Sequence, residues 1–391
     1  MLTIIKNGEV YAPNFLGQKD ILLIGDKIGA IADKIEKPTD FVEVQVVDAT
    51  NKLVVPGFID GHVHIIGGGG EGGYKTRTPE IQLNEILLAG VTTIVGVIGT
   101  DGTTRTMTSL IAKARALEEE GISCYVLTGS YQVPVKTLMG KIEDDLILID
   151  KIIGAGEIAI ADHRSSQPTV EELAKIGSAA RIGGMLSGKS GIVNIHVGDS
   201  PSHLDLIEKV VAKTDIPIQQ FYPTHINRNA PLFEAGIAYA KKGGNVDFTT
   251  SSIPKFIEEG EVKCSTALRK MLEAGVDLSR ITFTSDAQGS LPDFDPSGEL
   301  IGLKIGQISS LFDEVRDSVI KEEIPLMQAL QVITKNPAER LKLTQKGIIM
   351  EGKDADIVLL QKEDLIIDTV ISKGKVMVEN QVVKIKGTFD S

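Results

Sequence analysis

The chain has 391 residues, with 41 Lys+Arg against 53 Asp+Glu for a formal charge of −12, and it holds six His, two Cys and no Trp. At 42% hydrophobic and 24% charged residues it reads as an ordinary globular chain, which excludes disorder and fibrous repeats. The acidic excess, with no basic run longer than two residues, argues against nucleic acid or an anionic membrane as partner and leaves small substrates or protein partners.

The first fifty residues predict short strands broken by turns, at Leu2–Ile5, Ile21–Ile24, Ile28–Ala32 and Val42–Val47. A different texture follows. Eight apolar runs, Leu53–Ile65, Val91–Ile98, Ile122–Thr128, Ile158–Ala161, Ile192–Val197, Ile218–Tyr222, Val246–Thr250 and Ile281–Thr284, alternate with segments of helical spacing such as Pro79–Leu88 and Thr169–Ile176. Eight strand-plus-helix units predict the α/β class, as a (β/α)8 TIM barrel. Helices at Pro325–Ile333 and Asn336–Leu341 lead back to short β runs at Ile357–Leu360, Leu365–Ser372, Lys375–Glu379 and Val382–Ile385. Neither end closes a core alone, so residues 1–55 and 345–391 are expected to pair as a small β-sandwich around a barrel of residues 56–344. Cys124 and Cys264 cannot build a disulfide framework or a thiolate zinc site, and no charged-then-apolar leader or run of about 18 apolar residues is present, so a cytoplasmic location is expected.

Four of the six histidines, His62, His64, His196 and His225, fall at or just beyond the C-terminal ends of predicted strands, where barrel active sites are built. In Asp60-Gly61-His62-Val63-His64 the two imidazoles are two residues apart, so on a strand both point the same way and can share one cation. Asp286 ends the eighth run, where a carboxylate can both bind a metal and take a proton from metal-bound water.

The opening run Val54-Val55-Pro56-Gly57-Phe58-Ile59-Asp60-Gly61-His62-Val63-His64 and the late Gly352-Lys353-Asp354-Ala355-Asp356-Ile357-Val358 resemble the amidohydrolase superfamily. Longer stretches are similar to the bacterial isoaspartyl (β-aspartyl) dipeptidases. These are Ile66 to Glu71, Thr76 to Glu80, Gly129-Ser130-Tyr131, Asp162-His163-Arg164-Ser165, Pro223 to Asn229 and Ser285 to Ser290.

That resemblance implies metal-dependent hydrolysis of isoaspartyl dipeptides, with two divalent ions, expected to be zinc. His62, His64 and Asp286 would hold the more buried ion, and His196 and His225 the second. The family usually bridges its ions with a carboxylated lysine, and here the matching position is Glu157. Glu157 is expected to bridge the two ions; a single-ion site with Glu157 as an ordinary ligand is the rival. The substrate carries an ammonium and two carboxylates. Glu71 suits the ammonium, and Arg164 and Arg228 suit the carboxylates through their forked donors. The resemblance also places Gly69, Gly70, Thr100 and Ser290 on the substrate and Tyr131 on the scissile carbonyl oxygen, with Asp286 as the general base. The Gly67–Gly73 loop reads as a substrate lid, and His163 and His203 as structural. Alternatives are a cyclic-amide hydrolase, an N-acyl amino acid deacylase, or a non-catalytic barrel serving assembly; a homo-oligomer is expected.

Overall fold

The computed structural model describes residues 2–38, 42–294 and 300–390. Strands β1 (Leu2–Tyr11), β2 (Phe15–Ile24), β3 (Lys27–Ala32), β4 (Val44–Asp48) and β5 (Lys52–Pro56) open the chain. The barrel strands follow as β6 (Phe58–Val63), β7 (Val91–Gly96), β8 (Ser123–Thr128), β9 (Ile152–Ile160), β10 (Ile192–Val197), β11 (Phe221–Thr224), β12 (Val246–Thr249) and β13 (Ile281–Thr284). A hairpin of β14 (Ser290–Phe294) and β15 (Leu300–Ile305) succeeds them, and β16 (Ile357–Gln361), β17 (Ile367–Ser372), β18 (Lys375–Glu379) and β19 (Val382–Val383) close the chain.

Both ends of the chain enter one nine-stranded sheet, in the order β19-β18-β17-β16-β5-β1-β2-β3 with β4 beside β1. The sheet folds over on itself. The amide of Ile28 on β3 donates to Lys353 and the Ala355 amide to Asp26, and Ile5, Ile21, Leu23 and Ile28 share a buried core with Ile357, Leu359 and Ile371. The expected pairing of the two ends into a sandwich is met.

The apolar run predicted over Leu53–Ile65 divides in two. β5 belongs to the terminal sheet, and β6 starts the barrel. Gly57 makes the crossing, because a Cβ there would stand 2.3 Å from Thr92 Oγ1. The run of hydrophobicity hides this break, since both strands are buried on both faces. β9 begins six residues before the predicted start at Ile158, its first half masked by Gly154 and Gly156. The sixth run also shifts, because Ile218–Gln220 forms a 3-10 turn before β11 begins.

β6 to β11 form one parallel ladder and β12 pairs with β13. The ring closes through the Ile226 amide to the Asp247 carbonyl on one side and the Asp286 amide to the His62 carbonyl (3.2 Å) on the other. Helices cover the outside, among them Met107–Glu120, Val170–Ser187 and Ala230–Lys241, with Thr106, Thr169 and Asn229 capping their first turns. Ile59, Val95, Leu127, Ile153 and Tyr222 pack inside the barrel with Leu341 and Leu343, which leaves the strands' C-terminal ends to carry polar side chains. Among the described residues no helix is long and apolar enough to cross a membrane.

Candidate active site

A cavity of about 590 Å³ opens at the C-terminal ends of the strands. Its floor is the histidine cluster. His62 and His64 come from the end of β6, where a register shift between Asp60 and Val63 bulges the strand and the Asp60 carboxylate accepts the amides of His62 and Ser285 (both 3.2 Å). His196 comes from β10, and His225 and Asp286 follow β11 and β13 in the left-handed backbone region, with φ of 64° and 55°. Such backbone is uncommon for non-glycine residues, and it clusters at sites whose surroundings fix it.

Glu157 sits at the centre. Its Oε2 lies 3.4 Å from His62 Nε2, 3.3 Å from His196 Nδ1 and 3.9 Å from His225 Nε2, while Oε1 lies 3.6 Å from His64 Nε2. Asp286 Oδ1 lies 3.0 Å from His64 Nε2 and 3.7 Å from His62 Nε2. The ligand atoms of His62, His64 and Asp286, and those of His62, Glu157 and His225, each lie within 4.8 Å of one another.

Do these residues fit divalent metal? Both ring nitrogens of His62, His64 Nδ1, both Glu157 oxygens and Asp286 Oδ1 are buried and make no hydrogen bond. Uncompensated buried donors and acceptors are costly, and a cation would satisfy His62 Nε2, the Glu157 oxygens and Asp286 Oδ1, which face one another. The protonation states of the two carboxylates and of His225 agree. Burial opposes ionisation of Glu157, but His62, His196 and His225 hold its carboxyl well below the usual range. Burial likewise opposes ionisation of Asp286, yet His64 brings it down to about 2. Burial, with Arg228 and His196 nearby, pushes His225 down to about 3 and so keeps it neutral, as a metal ligand must be. His62 is driven the other way: despite burial, Glu157 beside it lifts it to about 9, a measure of the anionic field that would hold a cation.

On one side of the cavity the Glu71 carboxylate accepts from Thr100 Oγ1 (3.1 Å), Ser290 Oγ (3.0 Å) and Arg164 Nη1 (3.3 Å). Four expected substrate residues from four separate segments therefore meet at one point. Tyr131 points its hydroxyl at His196 Nδ1 (2.8 Å), and the Arg164 guanidinium lies 5.4 Å from its ring. Arg228 also reaches His196, with Nη1 3.4 Å from Nε2, and donates to the Val197 carbonyl at 3.3 Å with Asp199 at 3.8 Å.

Gly69 lines the cavity with φ of 68°, and a Cβ there would fall 2.6 Å from the Thr76 carbonyl. Gly70 does not line it; its carbonyl accepts from the Gly73 amide in the adjoining turn. The loop expected to act as a lid is tied down at its base. Buried Arg105 donates to the carbonyls of Ile66, Gly68 and Gly69, a tether with no signature in the sequence. Sequence reasoning also left out Asp162, Thr249, Phe256 and Glu261, all on the cavity wall. Only Asp162 had a signal, its place two residues before Arg164.

The amidohydrolase family model matches residues 53–377. A crystal structure of a β-aspartyl dipeptidase from Fervidobacterium islandicum AW-1, in complex with β-Asp-Leu dipeptide, is 44% identical, covers 100% of both chains and superposes with a TM-score of 0.92. An allantoinase from Bacillus licheniformis is 26% identical, with 92% of this chain and 87% of the relative covered. The structure of a dihydropyrimidinase from Brevibacillus agri NCHU1002 shares the fold at 18% identity and a TM-score of 0.67, over 99% and 97% of the two chains. With the model spanning the barrel and its return to the sheet, and a full-length relative well above chance identity, the chain belongs to the amidohydrolase family.

Proposed function

We propose that the chain hydrolyses β-aspartyl dipeptides in a metal-dependent reaction. The observation that carries the reading is the junction of Glu71, Thr100, Ser290 and Arg164 beside the histidine cluster, an anionic and a cationic group side by side within reach of the reacting centre. An α-amino acid head group, ammonium with carboxylate, needs that pair. Arg228 then takes the terminal carboxylate of the leaving residue. The similar β-aspartyl dipeptidase, solved in complex with β-Asp-Leu, supports the substrate class.

His62, His64 and Asp286 would hold one divalent ion, His196 and His225 a second, and Glu157 would bridge them; zinc suits these imidazole and carboxylate donors. Bound there, the ions would supply Lewis-acid chemistry, activating a water near neutral pH and polarising the scissile carbonyl. Asp286, ionised and facing the cavity, would accept the proton of the attacking water and pass it to the departing amine. Tyr131 donates to the carbonyl oxygen, where charge develops; burial keeps its hydroxyl protonated, with a pKa well above the ordinary value. Gly69 lets the loop backbone approach the substrate, and Gly70 shapes the turn behind it.

The free, buried Cys124 and Cys264 support a cytoplasmic location, and exposed Leu148, Met185 and Leu186 on neighbouring helices support a homo-oligomer. Assay of β-Asp-Leu beside the α-linked isomer tests the substrate, with cleavage confined to the β-linked compound expected. Cleavage of the α-linked compound alone would overturn the proposal. Metal analysis returning one ion per chain would sink the bridging role of Glu157.

A further inference from the structure

Asp162 stands just beyond β9, with its side chain 5% exposed, and each of its oxygens is doubly engaged. Oδ1 accepts from the Arg164 amide (2.7 Å) and Arg164 Nε (3.0 Å). Oδ2 accepts from Arg164 Nη2 (2.7 Å) and lies 2.9 Å from His196 Nε2. A carboxylate only accepts, and at 2.9 Å it is closer to Nε2 than the Arg228 and Arg164 guanidinium nitrogens at 3.4 and 3.5 Å, so His196 carries its proton on Nε2, which leaves Nδ1 unprotonated. Nδ1 is the nitrogen turned to Glu157 Oε2 and Tyr131. On the arginine side, Asp162 occupies the Nε and Nη2 edge of the fork. The opposite edge, Nη1 with Nη2, is thereby directed toward Glu71 and the cavity.

We propose that Asp162 is a positioning residue that couples the two halves of the site: one carboxylate aims the Arg164 fork at the substrate and fixes the His196 tautomer that serves the metal. The inference rests on the reading of Arg164 as a carboxylate grip and His196 as a ligand. Outer partners of ligating histidines commonly govern metal affinity by 10- to 100-fold. A residue that held only the arginine would leave that affinity untouched.

The experiment compares Asp162→Asn, Asp162→Glu and Arg164→Ala in the full chain. Zinc retention is read by elemental analysis after dialysis against graded chelator, KM and kcat for β-Asp-Leu at saturating zinc, and melting temperature as a check on folding. Asp162→Asn should weaken zinc retention about tenfold or more and also raise KM by about tenfold or more even when zinc is saturating. Arg164→Ala should raise KM and leave zinc retention as in the wild type. Asp162→Glu, which keeps the charge, should recover part of both losses, and it replaces the Asn variant should that one fail to fold. Unchanged zinc retention in a folded Asp162 variant, or unchanged KM, overturns the coupling. Zinc retention is read without substrate, so an error in the substrate assignment shows instead as wild-type protein that binds zinc and does not cleave β-Asp-Leu.

Discussion

Glu71→Gln tests the proposed recognition of the substrate ammonium by Glu71. The Glu71 side chain is 12% exposed and accepts three hydrogen bonds, from Thr100, Ser290 and Arg164. Glutamine keeps the shape and one acceptor oxygen, and its amide can donate to Ser290, whose hydroxyl turns to accept. Arg164 retains Asp162, so the substitution should cost folding less than about 1 kcal/mol. Binding is another matter. A charge-assisted hydrogen bond between carboxylate and ammonium contributes about 1.5–3 kcal/mol, so kcat/KM for β-Asp-Leu should fall by about 10- to 150-fold. The control is succinyl-leucine, which has the same scissile amide and both carboxylates but no ammonium. It should be a poor substrate for the wild type, and Glu71→Gln should lose little on it or gain, because an unpaired buried carboxylate is no longer left facing the ligand. Equal losses on both substrates would refute the assignment and return Glu71 to a role in holding Arg164.

Asp286→Asn should retain most of the bound metal and lower kcat by about 10²–10⁴-fold, the usual contribution of a positioned proton acceptor; kcat within tenfold of the wild type would remove it as the base. Chelation should lower the melting temperature by several degrees, since an ion at 100 times its Kd stabilises the folded chain by about 2.7 kcal/mol; identical melting curves with and without chelator would contradict a resident metal. Burial outweighs the Ser252 hydrogen bond and Arg228 and lifts the Glu261 carboxyl from 4.5 to about 7. Because the folded value is the higher one, its contribution to stability is complete below pH 4.5 and is lost as pH rises through about 7. Its charge then appears on the cavity wall facing a doubly carboxylated substrate, so KM should rise between about pH 6 and 8, and a Glu261→Gln profile with the same slope would exclude it as the source.

The site was legible where chemistry and spacing coincide along the chain. His62 and His64 show themselves by their separation of two residues, and His196, His225 and Asp286 by ending apolar runs. Glu157 carried no such mark, and only the alignment of neighbouring motifs with a family pointed to it. Arg105 was invisible, and Asp162 was marked only by its place before Arg164, for a different reason. Their work is done through bonds to residues brought near by the barrel: Asp162 to His196, 34 positions away, and Arg105 to Gly68, 37 positions away. The fold follows the same division. Alternation of runs predicts eight strands, but the break at Gly57 depends on Thr92 from the next strand, which no local pattern encodes.

Glu157 shows how backbone and side chain can exchange roles. Relatives usually place a carboxylated lysine here, a long arm ending in a carboxylate, and glutamate is much shorter. In β9 the ladder pairs Ala155 with Val193 and Ile158 with Ile195, so Gly156 and Glu157 together stand opposite Asn194 alone. Such a bulge bends the strand and re-aims the extra side chain. The close approach needs glycine before it, because a Cβ on Gly156 would lie 2.6 Å from the Asn194 carbonyl. With the backbone so placed, one short carboxylate comes within 3.9 Å of imidazoles carried by β6, β10 and the segment after β11. A bridging role for Glu157 then depends on strand geometry instead of arm length, and the carboxylate is supplied by the sequence with no requirement for carbon dioxide.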